Sequence, residues 1–84
     1  MAQTNLAILY MEGHGVRHDD ARAAALLAVP AKEGVALAQT NLALLYASGR
    51  GVKQSLHRAM EWYQKAAVQG EADAQFALGN MYED

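Results

Sequence analysis

Apolar residues recur along this chain at helical spacing, in short blocks separated by glycine-containing breaks. In the first block, Ala2, Leu6, Leu9, Tyr10 and Gly13 follow an i, i+4, i+7, i+8 spacing that places them on one helical face. Ala38, Leu42, Leu45 and Tyr46 repeat that face later in the chain. A second kind of block sets Ala59, Trp62, Tyr63, Ala66, Ala67 and Gly70 at i, i+3, i+4, i+7, i+8, i+11, and Ala23, Leu26, Leu27, Pro30, Ala31 and Gly34 keep those positions apolar or small. Gly13 and Gly49 stand where a first helix should end, and Gly34 and Gly70 where a second should end, each suited to a left-handed C-cap. Asp19 and Ser55 precede the second kind of block and are good N-caps, since their side-chain oxygens accept early helix amides. The pattern predicts five helices, at residues 2–12, 19–33, 38–48, 55–69 and 73–83.

The blocks belong to a repeat. "AQTNLAILY" from Ala2 to Tyr10 returns as "AQTNLALLY" from Ala38 to Tyr46, and "AQFALGNMY" opens a third time at Ala74. Residues 2–37 and 38–73 share 16 identities over 36 positions. One domain over 1–84 is expected, with repeat one at 2–37, repeat two at 38–73 and a partial third at 74–84. Helix pairs repeated at this period and joined by short turns describe an α-solenoid. The first unit carries Pro30 where the second has Ala66. A Pro inside a helix costs about 3 kcal/mol and removes a bond to the carbonyl four residues back, here Leu26, which predicts a kink or early fraying.

Composition fits helices and narrows the function. Hydrophobic residues make up 52%, Ala and Leu dominate them, and β-branched residues are few. The net charge is −2, and the cations are scattered without the basic stripe or run that nucleic acid or an anionic membrane would call for. Cysteine is absent, so thiolate metal sites and disulfides are excluded and the redox compartment stays open. The longest apolar run, "AAALLAVPA" from Ala23 to Ala31, is too short to span a bilayer and contains a Pro. The opening residues lack the basic and apolar regions of a secretory signal.

The stretch "YMEGHGVRHD" is the natural place to look for chemistry. A phosphate loop needs a preceding strand and a Lys, and Gly13-His14-Gly15 has neither. Its counterpart Gly49-Arg50-Gly51 keeps both glycines and Val52 while the central residue changes, so Gly13, Gly15, Gly49 and Gly51 read as structural turn residues with permissive backbone angles. Val16 and Val52 are expected to tuck back onto the helix ends. His14 and His18 are loop residues whose counterparts are Arg50 and Gln54, and with His57 they do not assemble the three or four ligands a zinc site wants. A histidine-dependent metal site is therefore the remote alternative, and no metal or cofactor is expected. No nucleophile–base arrangement is present, and Asp19-Asp20 reads as a helix start favoured by the N-terminal dipole. No catalytic residue is assigned. Trp62-Tyr63 reads as core for at least one ring, with an exposed hot-spot pair as the alternative.

The run "ALAQTNLALLYASGRGVKQSLHRAMEWYQKAAVQGEADAQ" resembles the Sel-1-like repeat, a relative of the tetratricopeptide repeat. The residues that carry the likeness are Ala38, Gln39, Leu42, Ala43, Tyr46, Gly49, Gly51, Val52, Ala59, Trp62, Tyr63, Lys65, Ala66, Ala67 and Gly70. Unit one departs from it at Leu26-Leu27, where Trp-Tyr is expected, and at Val29-Pro30, where Lys-Ala is expected. The resemblance implies an all-α fold, a right-handed α–α superhelix of helix-turn-helix repeats. It implies a scaffold or adaptor for protein–protein interaction, of the kind found in bacterial envelope or signalling assemblies and eukaryotic quality control. A bacterial cytoplasmic or envelope-associated setting follows from it alone.

In related helical solenoids the first helices line the inner groove. Removing the core positions leaves Thr4, Asn5, Ile8 and Met11 in unit one, Thr40, Asn41, Leu44 and Ala47 in unit two, and Phe76 and Asn80 in the third segment. These ten are the candidate concave-face residues for a protein or peptide partner. Asn5 and Asn41 are equivalent and would form a ladder able to hydrogen-bond both groups of a peptide backbone. The alternative is that they bond only neighbouring helices or water. Neither end carries a dedicated cap, so the chain is expected either to belong to a longer array or to self-associate through its ends as a homo-oligomer.

Overall fold

A computed structural model of the chain describes residues 2–13 and 15–82, without the side chains of Ala2, Gln3 and Tyr82. The described residues form five helices and no strand: α1 (Ala2–Glu12), α2 (Asp20–Lys32), α3 (Ala36–Ser48), α4 (Leu56–Val68) and α5 (Ala72–Tyr82). Each helix packs chiefly on its neighbours in sequence, and α1 also reaches α3. That is the nearest-neighbour order of a helical solenoid. The helix ends fall within two residues of those expected from the sequence.

The breaks are built alike in both units. Gly13 and Gly49 have φ of 73° and 71°, the left-handed region that lets the chain leave a first helix. The amides of Asp19 and Ser55 then bond back to the carbonyls of Tyr10 and Tyr46 at 2.9 and 3.0 Å. The Asp19 and Ser55 side chains accept the amides of Arg22 and Arg58, so both expected N-caps form. Val52 packs on the core beneath its loop, as expected.

Both second helices close with the same terminal motif. The amide of Val35 donates to Pro30 and that of Gly34 to Ala31; in the second unit Glu71 donates to Ala66 and Gly70 to Ala67. The expected fraying at Pro30 does not occur. α2 and α4 begin and end at equivalent residues, and α2 runs through Pro30. The reason is position: Pro30 lies in the last turn, its ring is fully buried, and its carbonyl serves the cap.

Two contiguous cores result. Ala7, Met11, Ala23, Leu27, Leu42 and Leu45 fill the first, around α1, α2 and α3. Ala43, Ala59, Tyr63, Ala66 and Ala74 fill the second, around α3, α4 and α5. Tyr63 is the buried ring of the Trp62-Tyr63 pair, while Trp62 is half-buried and touches both cores. Alanine at so many contacts lets helix backbones approach closely.

Glutamines fasten the units together. Gln39 Nε2 donates to the Ala31 carbonyl at 3.0 Å, and Gln75 Nε2 repeats this on Ala67 at 3.2 Å. Gln69 Nε2 donates to Gln39 Oε1 at 3.0 Å, so one buried amide ties the ends of α2 and α4 to α3. Threonine shows a difference between units. Thr40 Oγ1 donates to Glu71 at 3.3 Å. Its equivalent Thr4 is 3% exposed with no partner for its hydroxyl, because Val35 stands where the second unit has Glu71.

Candidate functional site: first-helix face, joint and cleft

The structure divides the ten candidate concave-face residues. Thr4, Met11 and Thr40 are buried and are withdrawn from any partner. The physical reason is that a solenoid helix packs on more than one side: Met11 enters the first core, and Thr40 turns toward Glu71 in the loop after α4. Asn5, Leu44, Phe76 and Asn80 are exposed, and Ile8, Asn41 and Ala47 are half-buried. The Asn41 side-chain amide donates to the Leu37 carbonyl of its own helix at 2.9 Å, which leaves its oxygen and its second N–H for another group. Leu44 remains 40% exposed although α3 is flanked by helices on both sides.

The glycine loops join one unit to the next. Gly51 has φ of 75°, and a Cβ there would lie 2.4 Å from the carbonyl carbon and oxygen of Asp20. Only glycine lets the second loop press against the start of α2. Beside it, Arg50 grips Asp20 with two charge-assisted bonds, Nε to Oδ2 at 3.0 Å and Nη2 to Oδ1 at 2.9 Å. Arg50 Nη2 also donates to the Met11 carbonyl at 3.1 Å, and His18 Nε2 lies 2.9 Å from Asp20 Oδ1. His14, the counterpart of Arg50, lies outside the described residues. Among the described residues no three His, Cys, Asp or Glu side chains gather as a metal site.

The hydrogen bonds from Arg50 hold the Asp20 carboxyl below its ordinary value, against the desolvation that would raise it. Folding therefore lowers this pKa. The stabilisation is complete above the ordinary carboxylate value of 3.8 and disappears as pH falls through the lower value of the folded chain. A double-mutant cycle of Arg50→Gln and Asp20→Asn, read by urea denaturation, is expected to give a coupling of about 1 kcal/mol at neutral pH. The coupling should decline as pH falls below 3.8 and through the lower value of the folded chain. A coupling that persists in acid would show that the pair is not held by the ionised carboxylate.

On the second-helix side, α2 and α4 stand apart over an open cleft of about 430 Å³. Ala21, Ala24, Ala25 and Ala28 line it from α2, Arg58 and Trp62 from α4, and Leu42, Tyr46 and Val52 from between them. Lys32 is also in the lining. A further hollow of about 650 Å³ shares Tyr46, Val52 and Arg58 and extends to Lys53, Gln54 and Ser55. The Arg58 guanidinium sits 6.0 Å from the Tyr46 ring centre, and the equivalent Arg22 sits 5.6 Å from Tyr10. The identity of Arg22 with Arg58 and of Tyr10 with Tyr46 across the repeat was the sequence signal for this pairing. Among the described residues no helix is long and apolar enough to cross a membrane.

Comparison with known proteins agrees with this geometry. The Sel1 repeat model matches residues 1–28, 36–71 and 72–84, leaving out the segment that holds Pro30. The chain superposes on a Sel1 repeat protein from Oxalobacter formigenes with a TM-score of 0.90 and 36% identity, over 95% of this chain and 32% of that one. It superposes on a protective antigen present in uropathogenic Escherichia coli strains, which displays an SLR fold, with a TM-score of 0.92 and 36% identity, over 96% of this chain and 17% of that one. The chain thus spans a third or less of the length of these structures. No curated protein matches the sequence. With its family pattern across most of the sequence and its helices in the same arrangement, the chain belongs to the Sel1 repeat family, whose members are in general protein–protein interaction modules.

Proposed function

We propose that this chain is a non-enzymatic docking module that binds a protein or peptide along the inner face formed by its first helices. The observation that carries this reading is Leu44. It sits on the central helix, has neighbours on both sides, and is still 40% exposed. Ile8 on α1 and Phe76 on α5 extend an apolar track to either side, and Asn5 and Asn80 add exposed amides. An apolar centre with polar surroundings is the composition of a peptide-binding surface. Thr4, Met11 and Thr40 take no part in it.

Selection of a random-peptide display library on the immobilised chain tests the reading. Enriched peptides are expected to bind Leu44→Glu at least ~10-fold more weakly. They should bind Val68→Glu, an exposed position on α4, as well as the original chain. Equal weakening by both substitutions would remove the first-helix face as the site.

A second reading is self-association. It is favoured by Leu6 and Leu9, which are 38% and 39% exposed, whereas their equivalents Leu42 and Leu45 are buried.

A further inference from the structure

We propose that the α2–α4 cleft is a second docking site, on the side opposite the inner face, and that it takes an acidic peptide segment anchored by one apolar side chain. Shape comes first. The cleft volume of about 430 Å³ is in the range that accepts a bulky side chain with its flanking backbone. Its α2 wall is alanine, which keeps that wall shallow, and Trp62 faces it from α4 as an aromatic surface already half-exposed. Tyr46 and Leu42 supply an apolar floor.

Charge selects the occupant. The chain as a whole carries −2, yet the charged side chains of the cleft and its extension are Lys32, Lys53 and Arg58, with no carboxylate among them. Asp20 starts the α2 wall but is already neutralised by Arg50. A local cationic rim on an acidic molecule steers acidic segments inward and repels basic ones. Three cations around an apolar floor fit a peptide with a few carboxylates and one Leu- or Phe-like anchor. The rim is too sparse to track a polynucleotide backbone.

Trp62 is the single tryptophan of the chain, so its fluorescence reports on the cleft directly. The probes are two pools of tryptophan-free dodecamer peptides, each with a central Leu or Phe, one with Asp/Glu flanks and the other with Lys flanks; a dT12 oligonucleotide is the third probe. The acidic pool is expected to shift Trp62 emission saturably, at a concentration at least ~10-fold below that required by the basic pool. Ala25→Leu, which thickens the wall with a good helix former, and Lys32→Glu, which reverses a rim charge, are each expected to weaken that response at least ~5-fold with unchanged helical circular dichroism. Leu44→Glu should leave it unchanged, which separates this site from the inner face. The proposal fails if no saturable shift occurs, if the two pools act alike, if dT12 matches the acidic pool, or if neither cleft substitution weakens the response.

Discussion

Leu45→Ala is expected to destabilise the chain by about 3 kcal/mol and to lower Tm by roughly 15 °C, whereas Leu9→Ala should cost about 1 kcal/mol. The two leucines are equivalent by the repeat, on helices with nearly the same sequence. Their surroundings differ. Leu45 is 0% exposed in the core shared with α2, and truncating it opens a cavity that close-packed alanines around it are poorly placed to refill. Leu9 is 39% exposed, so its methyl groups give back less buried area and leave no closed void. Thermal and urea unfolding of both variants provide the measurement. Equal losses would mean that the α1 face is covered in solution. Light scattering on the same samples then tells whether a second copy covers it, and a monomer at high concentration would eliminate self-association.

Gly51→Ala should be as damaging, at about 3 kcal/mol, with Gly15→Ala near 1 kcal/mol as its internal control. Both glycines have left-handed φ, 75° and 80°. An alanine at either position therefore pays the same conformational strain. Only at Gly51 would the new Cβ run into backbone, the Asp20 carbonyl at 2.4 Å and the Ala21 amide nitrogen at 2.6 Å; at Gly15 nothing lies within 4 Å. The backbone of α2 cannot yield as a flexible side chain would. The second loop must then lift away, loosening the grip of Arg50 on Asp20. Chemical denaturation of the two variants distinguishes the shared strain from the clash. Equal destabilisation would show that the joint has room the geometry denies.

The helices, their caps and their glycine stops were legible because each is a local device, written in a few adjacent residues and then written again one repeat later. The joint was not. Comparing unit with unit keeps what recurs and discards what changes, and Arg50 stands at the position that changes, opposite His14. Its partner Asp20 belongs to the preceding unit and has Leu56 as its own counterpart. A contact made between units from residues that do not repeat leaves no trace in such a comparison. The overestimate of the inner face has a related cause. A single helical wheel assigns one buried side, while a stacked helix meets neighbours on several, which is how Met11 enters the core and Thr40 is buried against Glu71. Helical spacing makes at least one ring of Trp62-Tyr63 core, and only the packing shows that it is Tyr63. The alanines of the cleft were visible at i, i+3, i+4 and i+7 from Ala21 to Ala28, but a stripe of small residues has no meaning until the opposite wall is known.

The buried amide of Gln39 sets the scale on which this molecule melts. It accepts from the C-terminal cap of α4 while donating to the last turn of α2, so neither outer helix can fray at that end without stripping a hydrogen bond from Gln39 on α3. The elementary thermodynamic particle is therefore larger than the sequence repeat. Heat should not peel helix pairs away singly, because the boundary between two units is stitched by the same side chain that closes both. Repeats that share no side chain behave as beads on a string; these behave as a spring with its coils welded.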